Sequence, residues 1–235
     1  MKKTVYLFAM IAAFAASFLA CDSSNDSESE LTPDQKNQNY QSEVDSKFSQ
    51  RWTAEERRLA NTAASASYLS QVEKEVYYYL NLLRIDPPRF AETYAKDYRG
   101  VLGWINGYGF DERQQSLIQQ LATMSPMPLL RPNEMLFYSA ECFASNGGKL
   151  GKVGHDRSGT GCEQNVGLAE CVACGGYVTG LSVVMDLLVD AGEGNALLGH
   201  RRILLDEHYE WMGVAVRDHR DFQHMVVMSL DSREL

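Results

Sequence analysis

The sequence predicts an α+β fold, or a three-layer sandwich. Apolar residues recur at helical spacing through most of the chain, and from Trp211 the pattern changes to two apolar runs around a polar turn. The scale agrees: 235 residues, 45% hydrophobic and 23% charged, can bury one core and are not a disordered chain.

The first segment reads as an address. Lys2 and Lys3 precede an apolar run from Val5 to Leu19, and Ala20 and Cys21 close it. A charged start, a short apolar run and a small residue describe a secretory signal over residues 1–20. The run is shorter than the roughly 20 residues that a helix needs to cross a bilayer. Asp22 to Glu30 is small, polar and acidic, so residues 21–50 read as a flexible acidic tether and 51–235 as the folded domain with a helical extension. Without residues 1–20 the chain keeps 20 basic residues against 31 acidic ones, a balance of −11. Such a surface excludes nucleic acid as a partner, and it leaves membrane attachment to acyl chains.

Thr53-Ala-Glu-Glu56 is a capping box for a helical stretch through Ala66. Val72, Val76, Tyr79, Leu80 and Leu83 share one helical face. Asp86-Pro87-Pro88 stops that helix, and a proline fits the first turn of the next, whose apolar side is Phe90, Ala91 and Tyr94. Gly100 to Gly109 reads as a loop. Asp111 to Met124 is the next helix, with Leu117, Ile118 and Leu121 inward, and Ser125-Pro-Met-Pro128 breaks it. Pro132 opens a helix to about Ser145 that Asn146-Gly147-Gly148 closes. Gly147 to Gly161 reads as a surface loop, and Leu181 to Val189 as a helix. Trp211–Val216 and Met225–Leu230 flank Arg217-Asp-His-Arg-Asp221, which reads as a β-hairpin covered on both faces.

No Gly-x-Ser-x-Gly elbow, Walker loop, dinucleotide fingerprint or His-Glu-x-x-His is present, which speaks against the common hydrolases, nucleotide enzymes and zincins. Cys142, Cys162, Cys171 and Cys174 are an even set that suits two disulfides in an oxidising compartment, with three pairings open. Cys171-x-x-Cys174 has no second pair and no His pair at finger spacing, so it is not a zinc ribbon. The polar residues that could carry chemistry are Gly154-His155-Asp156, Glu163-Gln164-Asn165 and Gly199-His200-Arg201-Arg202. His208, His219 and His224 read as surface or edge residues, and Arg201 and Arg202 as partners of the acids between Asp186 and Glu193.

Two resemblances follow from these residues. Phe18-Leu19-Ala20-Cys21 resembles a bacterial lipobox, which implies cleavage before Cys21 and lipid on it. The acidic stretch after it is similar to the surface-export signal of Bacteroidota-type lipoproteins. Together they imply a lipid-anchored protein of the cell envelope, at the outer membrane and its surface. The second resemblance is carried by ordered pieces. These are Tyr79-Leu-Asn81-Leu-Leu-Arg84, Met127-Pro-Leu-Leu-Arg-Pro-Asn133, Gly154-His155-Asp156, Gln164-Asn165-Val166-Gly167, Leu198-Gly199-His200-Arg201-Arg202-Ile203-Leu204 and Met212-Gly213-Val214-Ala215-Val216. Over about residues 70 to 230 the chain resembles the CAP superfamily of cysteine-rich secretory proteins, venom antigens and pathogenesis-related proteins, in its bacterial branch.

That resemblance implies an α-β-α sandwich of the CAP type, disulfide-stapled loops, and a cleft lined by two His and two acids where a divalent cation, often zinc, can bind. His155 and His200 match the two His. The first acid is replaced: Gln164 stands in its place, Glu163 in that of the preceding glycine, and Asn165 is kept. Asp190 is the nearest match for the second acid, with Glu193 in the loop beyond. A Gln cannot offset a cation, and two imidazoles with waters make a weak site, so no cofactor is required and any zinc on His155 and His200 is held weakly. The implied function is an extracellular, envelope-anchored binding module for a lipid, glycan or protein ligand. The alternative is a peptidase-like hydrolase working through His155 and His200, with Glu163 or Asp190 as orienting acid. Whether the chain is an enzyme stays open at this point, as does a purely structural envelope role.

Overall fold

A computed structural model describes residues 31–103, 106–107, 109–192 and 197–235. The expected signal segment 1–20, the expected lipidation site Cys21, the expected tether up to Glu30 and Glu193 lie outside the described residues. Among the described residues the fold is α+β, and no helix is long and apolar enough to cross a membrane.

The tether reading fails from Thr32 onward. Pro33–Phe48 is a helix, α1, opened by a capping box in which the Thr32 hydroxyl accepts from the Gln35 amide and the Gln35 side chain returns to the Thr32 amide. Asn37, Tyr40 and Val44 fall on one side of α1 and are buried. Asn37 brackets Leu102 with bonds to its carbonyl and its amide, and the Tyr40 hydroxyl donates to the Asp97 carbonyl at 2.7 Å. So sparse a stripe in a polar stretch is easily mistaken for a leash.

α2 (Ala54–Ala60) starts at the expected Thr53–Glu56 box and ends before Ala66. α3 (Gln71–Ile85) has a box of its own at Ser70 and Glu73. Val76, Tyr79, Leu80 and Leu83 are buried as expected, but so are Asn81 and Arg84, so the last turns of α3 are enclosed on every side. α4 (Pro87–Phe90) begins on Pro87 and widens into a π-helical turn, Ala91–Ala95. α5 (Phe110–Leu121) buries Leu117 and Leu121.

α6 (Glu134–Leu150) is capped by Asn133 and runs through the glycines expected to end it, stopping at Gly151 with φ +71. Gly147 and Gly148 serve close approach instead. A Cβ on Gly148 would stand 2.3 Å from the Asp218 carbonyl oxygen, and the Arg220 amide donates to the Gly148 carbonyl at 3.0 Å. Helix propensity marked these residues as breakers, and packing keeps them helical.

The sheet holds β1 (Arg131–Pro132), β2 (Ala169–Gly175), β3 (Trp211–Asp218) and β4 (His224–Asp231) in the order β1-β3-β4-β2. β3 and β4 form the expected hairpin, with Val214 opposite Met228 and Val216 opposite Val226. Met212, Val214 and Met228 are buried, and so are Ala215, Met225 and Val227 from the other face, so both faces are covered. α6 lies against β3 so closely that a Cβ on Gly213 would sit 2.1 Å from the Leu136 carbonyl carbon and the Phe137 nitrogen. α3 contacts β3, and α8 (Gly199–Leu204) contacts β2. α7 (Gly180–Val189) packs on α3.

Two sequence readings change here. Among the described residues Arg201 pairs with no carboxylate: it is buried and donates to the carbonyls of Leu188 and Val189 at the end of α7, to the Arg113 carbonyl and to the Ser116 hydroxyl. A guanidinium there satisfies carbonyls that a helix end leaves unpaired. His219 is buried rather than superficial. Its Nε2 donates to the Lys152 carbonyl, while its Nδ1 accepts from the amides of Asp221 and Phe222.

One disulfide joins Cys142 to Cys162, with Cα atoms 5.8 Å apart, and the thiols of Cys171 and Cys174 are free. The expectation of a second bridge fails for a geometric reason. Cys171 and Cys174 are three apart on β2, so they point to opposite faces of the sheet. The bridge closes a loop with a sequence separation of 20, for which the chain-entropy model gives about 3 kcal/mol. The double variant Cys142→Ser, Cys162→Ser is expected to lose about that much in urea denaturation. Hydrogen exchange should speed up over residues 151–168 while β2 stays protected. Equal loosening of β2 would show that the bridge supports the strand and not the loop.

Candidate functional site

A hollow of about 370 Å³ opens between β2 and the α7–α8 region, lined among others by Val153, Val172, Cys174, Tyr177, Asp186 and His200. Two polar pairs are built into it. Asp190 ends α7 in the left-handed conformation, at φ 55 and ψ 44, which an Asp tolerates better than most residues. That turn aims its buried carboxylate back at α8. The His200 amide donates to one oxygen at 3.1 Å and the His200 Nδ1 meets the other at 2.8 Å. A carboxylate facing Nδ1 holds the proton there and leaves Nε2 as the working nitrogen. Nε2 has no hydrogen-bond partner among the described residues.

The second pair is Tyr177 and Asp186, the hydroxyl donating to Oδ2 at 2.5 Å. Burial pushes the Asp186 carboxyl above the usual range, against the opposing pull of the Tyr177 hydroxyl and of His200. Burial likewise pushes the Tyr177 hydroxyl well up, helped by the charge of Asp186. Cys174 lines the same hollow, and burial raises its thiol to about 11, so it is protonated at neutral pH.

His155 is placed differently. It is not among the residues lining the hollow, though its neighbours Val153 and Gly154 are. Its Nδ1 meets the Glu170 Oε1 at 2.8 Å, and Arg157 binds the other oxygen of the same carboxylate through Nε and a second guanidinium nitrogen. Arg157 also donates to the Cys162 carbonyl at 3.0 Å and stacks over the Phe143 ring. Glu170 therefore ties His155 and the disulfide loop to β2. The Glu170 hydrogen bond raises the His155 pKa, more than burial lowers it. Burial alone would raise Glu170, but the bonds from His155 and Arg157 outweigh it and leave its carboxyl low.

The sign for stability follows. A histidine whose folded pKa is raised stabilises the fold below its unfolded value, near 6.5, and that contribution disappears as pH rises through the folded value. Because the side chain is 59% exposed, the energy is small. The titration itself is the better readout. His155 is expected to titrate above 6.5 by NMR and to fall back toward it in Glu170→Gln. An unchanged midpoint in that variant would dismiss the pairing.

The remaining sequence candidates do not converge. Glu163 turns onto its own loop, accepting from the amides of Gly159 and Gly161 at 3.1 and 3.3 Å, so it does not replace the missing acid. Gln164 is exposed, and its backbone carbonyl accepts from Arg157. Asn165 is a tie-point: its amide donates to the Gly167 and Ala169 carbonyls, and its Oδ1 accepts from the Ser229 hydroxyl at 2.6 Å. Asp190 does stand beside His200. Sequence reading missed Glu170, whose signal was an acid inside an otherwise apolar seven-residue run. Among the described residues no group of three or more His, Cys, Asp or Glu is placed to hold a metal ion. Each imidazole keeps Nδ1 on a carboxylate, which leaves its Nε2 able to ligate, but among the described residues no third donor joins them in the set that a three-ligand zinc site needs.

The other ordered motifs meet in the core. The Asn81 side chain exchanges bonds with the Leu130 amide and carbonyl, at 2.8 and 3.0 Å. Arg84 donates to the carbonyls of Pro128, Tyr209, Leu204 and Asp206. Comparisons with protein-family models, with curated proteins and with solved structures give no match to this chain.

Proposed function

We propose that this chain is a CAP-like binding module of the cell envelope, tethered by lipid on Cys21, whose hollow beside β2 takes a ligand without a resident metal. The observation that supports this reading most directly is the His200–Asp190 pair. It fixes one imidazole so that a single nitrogen is free at a preformed hollow that also presents the Tyr177–Asp186 pair. Preformed polar groups in a concave, partly apolar site are what small-ligand recognition uses. The motif order, and helices packed against a sheet covered on both faces, support the sandwich of the CAP type.

The test is an NMR titration of the full-length chain with three probes: a lysophospholipid, a chitin trisaccharide and a basic peptide. Saturable shifts of Val172–Tyr177 and His200 amides with at least one probe, weakened in Asp190→Asn, are expected. No shift at those residues with any of the three would overturn the reading. A hydrolase stays as a second reading because a buried carboxylate orients His200 as a general base needs. The protonated Cys174 thiol is no ready nucleophile, so such an enzyme would have to activate water. Cleavage of a peptide library that vanishes in His200→Ala would favour it.

A further inference from the structure

We infer that the hollow receives an extended basic peptide segment, which adds as a fifth strand along the outer edge of β2. The inference rests on the hollow being a binding site, as proposed above, and names its partner.

β2 is last in the sheet order, and among the described residues β4 is the only strand beside it. On an edge strand every second residue turns its N–H and C=O away from the sheet. Among the described residues nothing takes up the outward groups of Glu170–Gly175: the bonds outside regular elements do not reach them, and the Asn165 amide stops at the Ala169 carbonyl. Val172, Ala173, Cys174 and Gly175 in succession line the hollow, so this unpaired edge forms its floor. Val153 and Gly154 line it too, as do Leu187, Asp190 and His200.

A bare edge normally invites uncontrolled pairing, and proteins cover, twist or charge it. Here the edge borders a hollow that residues outside the sheet also line, which admits a single extended chain more readily than a second sheet. Backbone pairing supplies affinity in this mode, and pockets for alternate side chains supply specificity. The sign of the side chains comes from the lining. Among the described lining residues Asp186 and Asp190 are the acids, and there is no Lys or Arg. The chain as a whole is acidic at −9. A basic peptide is therefore the complementary occupant.

Fluorescence anisotropy on the full-length chain tests this with a capped seven-residue peptide of alternating Lys and Val. Saturable binding is expected, with at least tenfold weaker binding of the matching Glu and Val peptide. Backbone N-methylation at one set of alternate residues should weaken binding at least tenfold, and at the other set by less than threefold, because only one edge of the peptide faces β2. Hydrogen exchange at Val172–Gly175 should slow on binding. Equal effects of the two methylated sets would overturn strand addition, as would binding of the acidic peptide at equal strength. So would a peptide-free dimer that protects the same amides. Shifts with the lipid or the glycan but no binding of the basic peptide would remove this inference and leave the binding-module reading standing.

Discussion

Gly213→Ala is expected to unfold the protein or cost more than about 3 kcal/mol, beyond the usual range for overpacking. Its Cβ would stand 2.1 Å from backbone atoms of Leu136 and Phe137, so no side-chain rotation relieves it. Either α6 must lift from β3 or the hairpin must bend. Both movements open the core on the α6 face, where Phe137, Ala140 and Phe143 are buried. Urea denaturation of the soluble fraction, with Gly199→Ala as a control where a Cβ meets nothing within 4 Å, checks this. A loss below 1 kcal/mol would mean that the helix and strand are not seated as described.

Arg84→Ala is expected to cost about 4 kcal/mol, within the range for breaking a buried charged network. Its guanidinium is buried without a carboxylate partner and is held by four carbonyls from two separate stretches, near Pro128 and over 204–209. Burial lowers its pKa to about 10, still well above neutrality, so the charge is kept. Truncation would leave a cavity where the buried guanidinium stood, unpair the buried Leu204 carbonyl and three part-buried ones, and cut the link between the end of α3 and the segment after α8. Arg84→Lys keeps the charge but cannot reach four carbonyls from one ammonium, so an intermediate loss is expected. Equal stability of all three proteins in urea melts would dispose of this account.

Much of the fold was legible because it is written in periodicity. The hairpin from Trp211 showed as two runs apolar on both faces, and α3 as a stripe from Val72 to Leu83, of which Val72 is only half-buried. What escaped was written in close contact. Gly147 and Gly148 look like a helix stop until the Asp218 carbonyl is seen beside them. β2 hid because Ala169-Glu-Cys-Val-Ala-Cys-Gly175 has small residues and an acid where a strand signal would have branched ones. Missing β2 meant missing both Glu170 and the reason that Cys171 and Cys174 stay apart. Of the site, His200 with Asp190 was anticipated only through the family resemblance, whereas the Glu170 partnership of His155 needed the strand.

If Cys21 carries the proposed lipid, the helical start at Thr32 limits how far the body could travel from it. Eleven residue steps lead from Cys21 to Thr32, a reach of about 40 Å at full stretch, where a leash to residue 50 would allow more than twice that. A protein so anchored would patrol a shallow layer just above the bilayer. Whatever it captures would have to come down to that layer, since the module could not extend to meet targets far out in the medium.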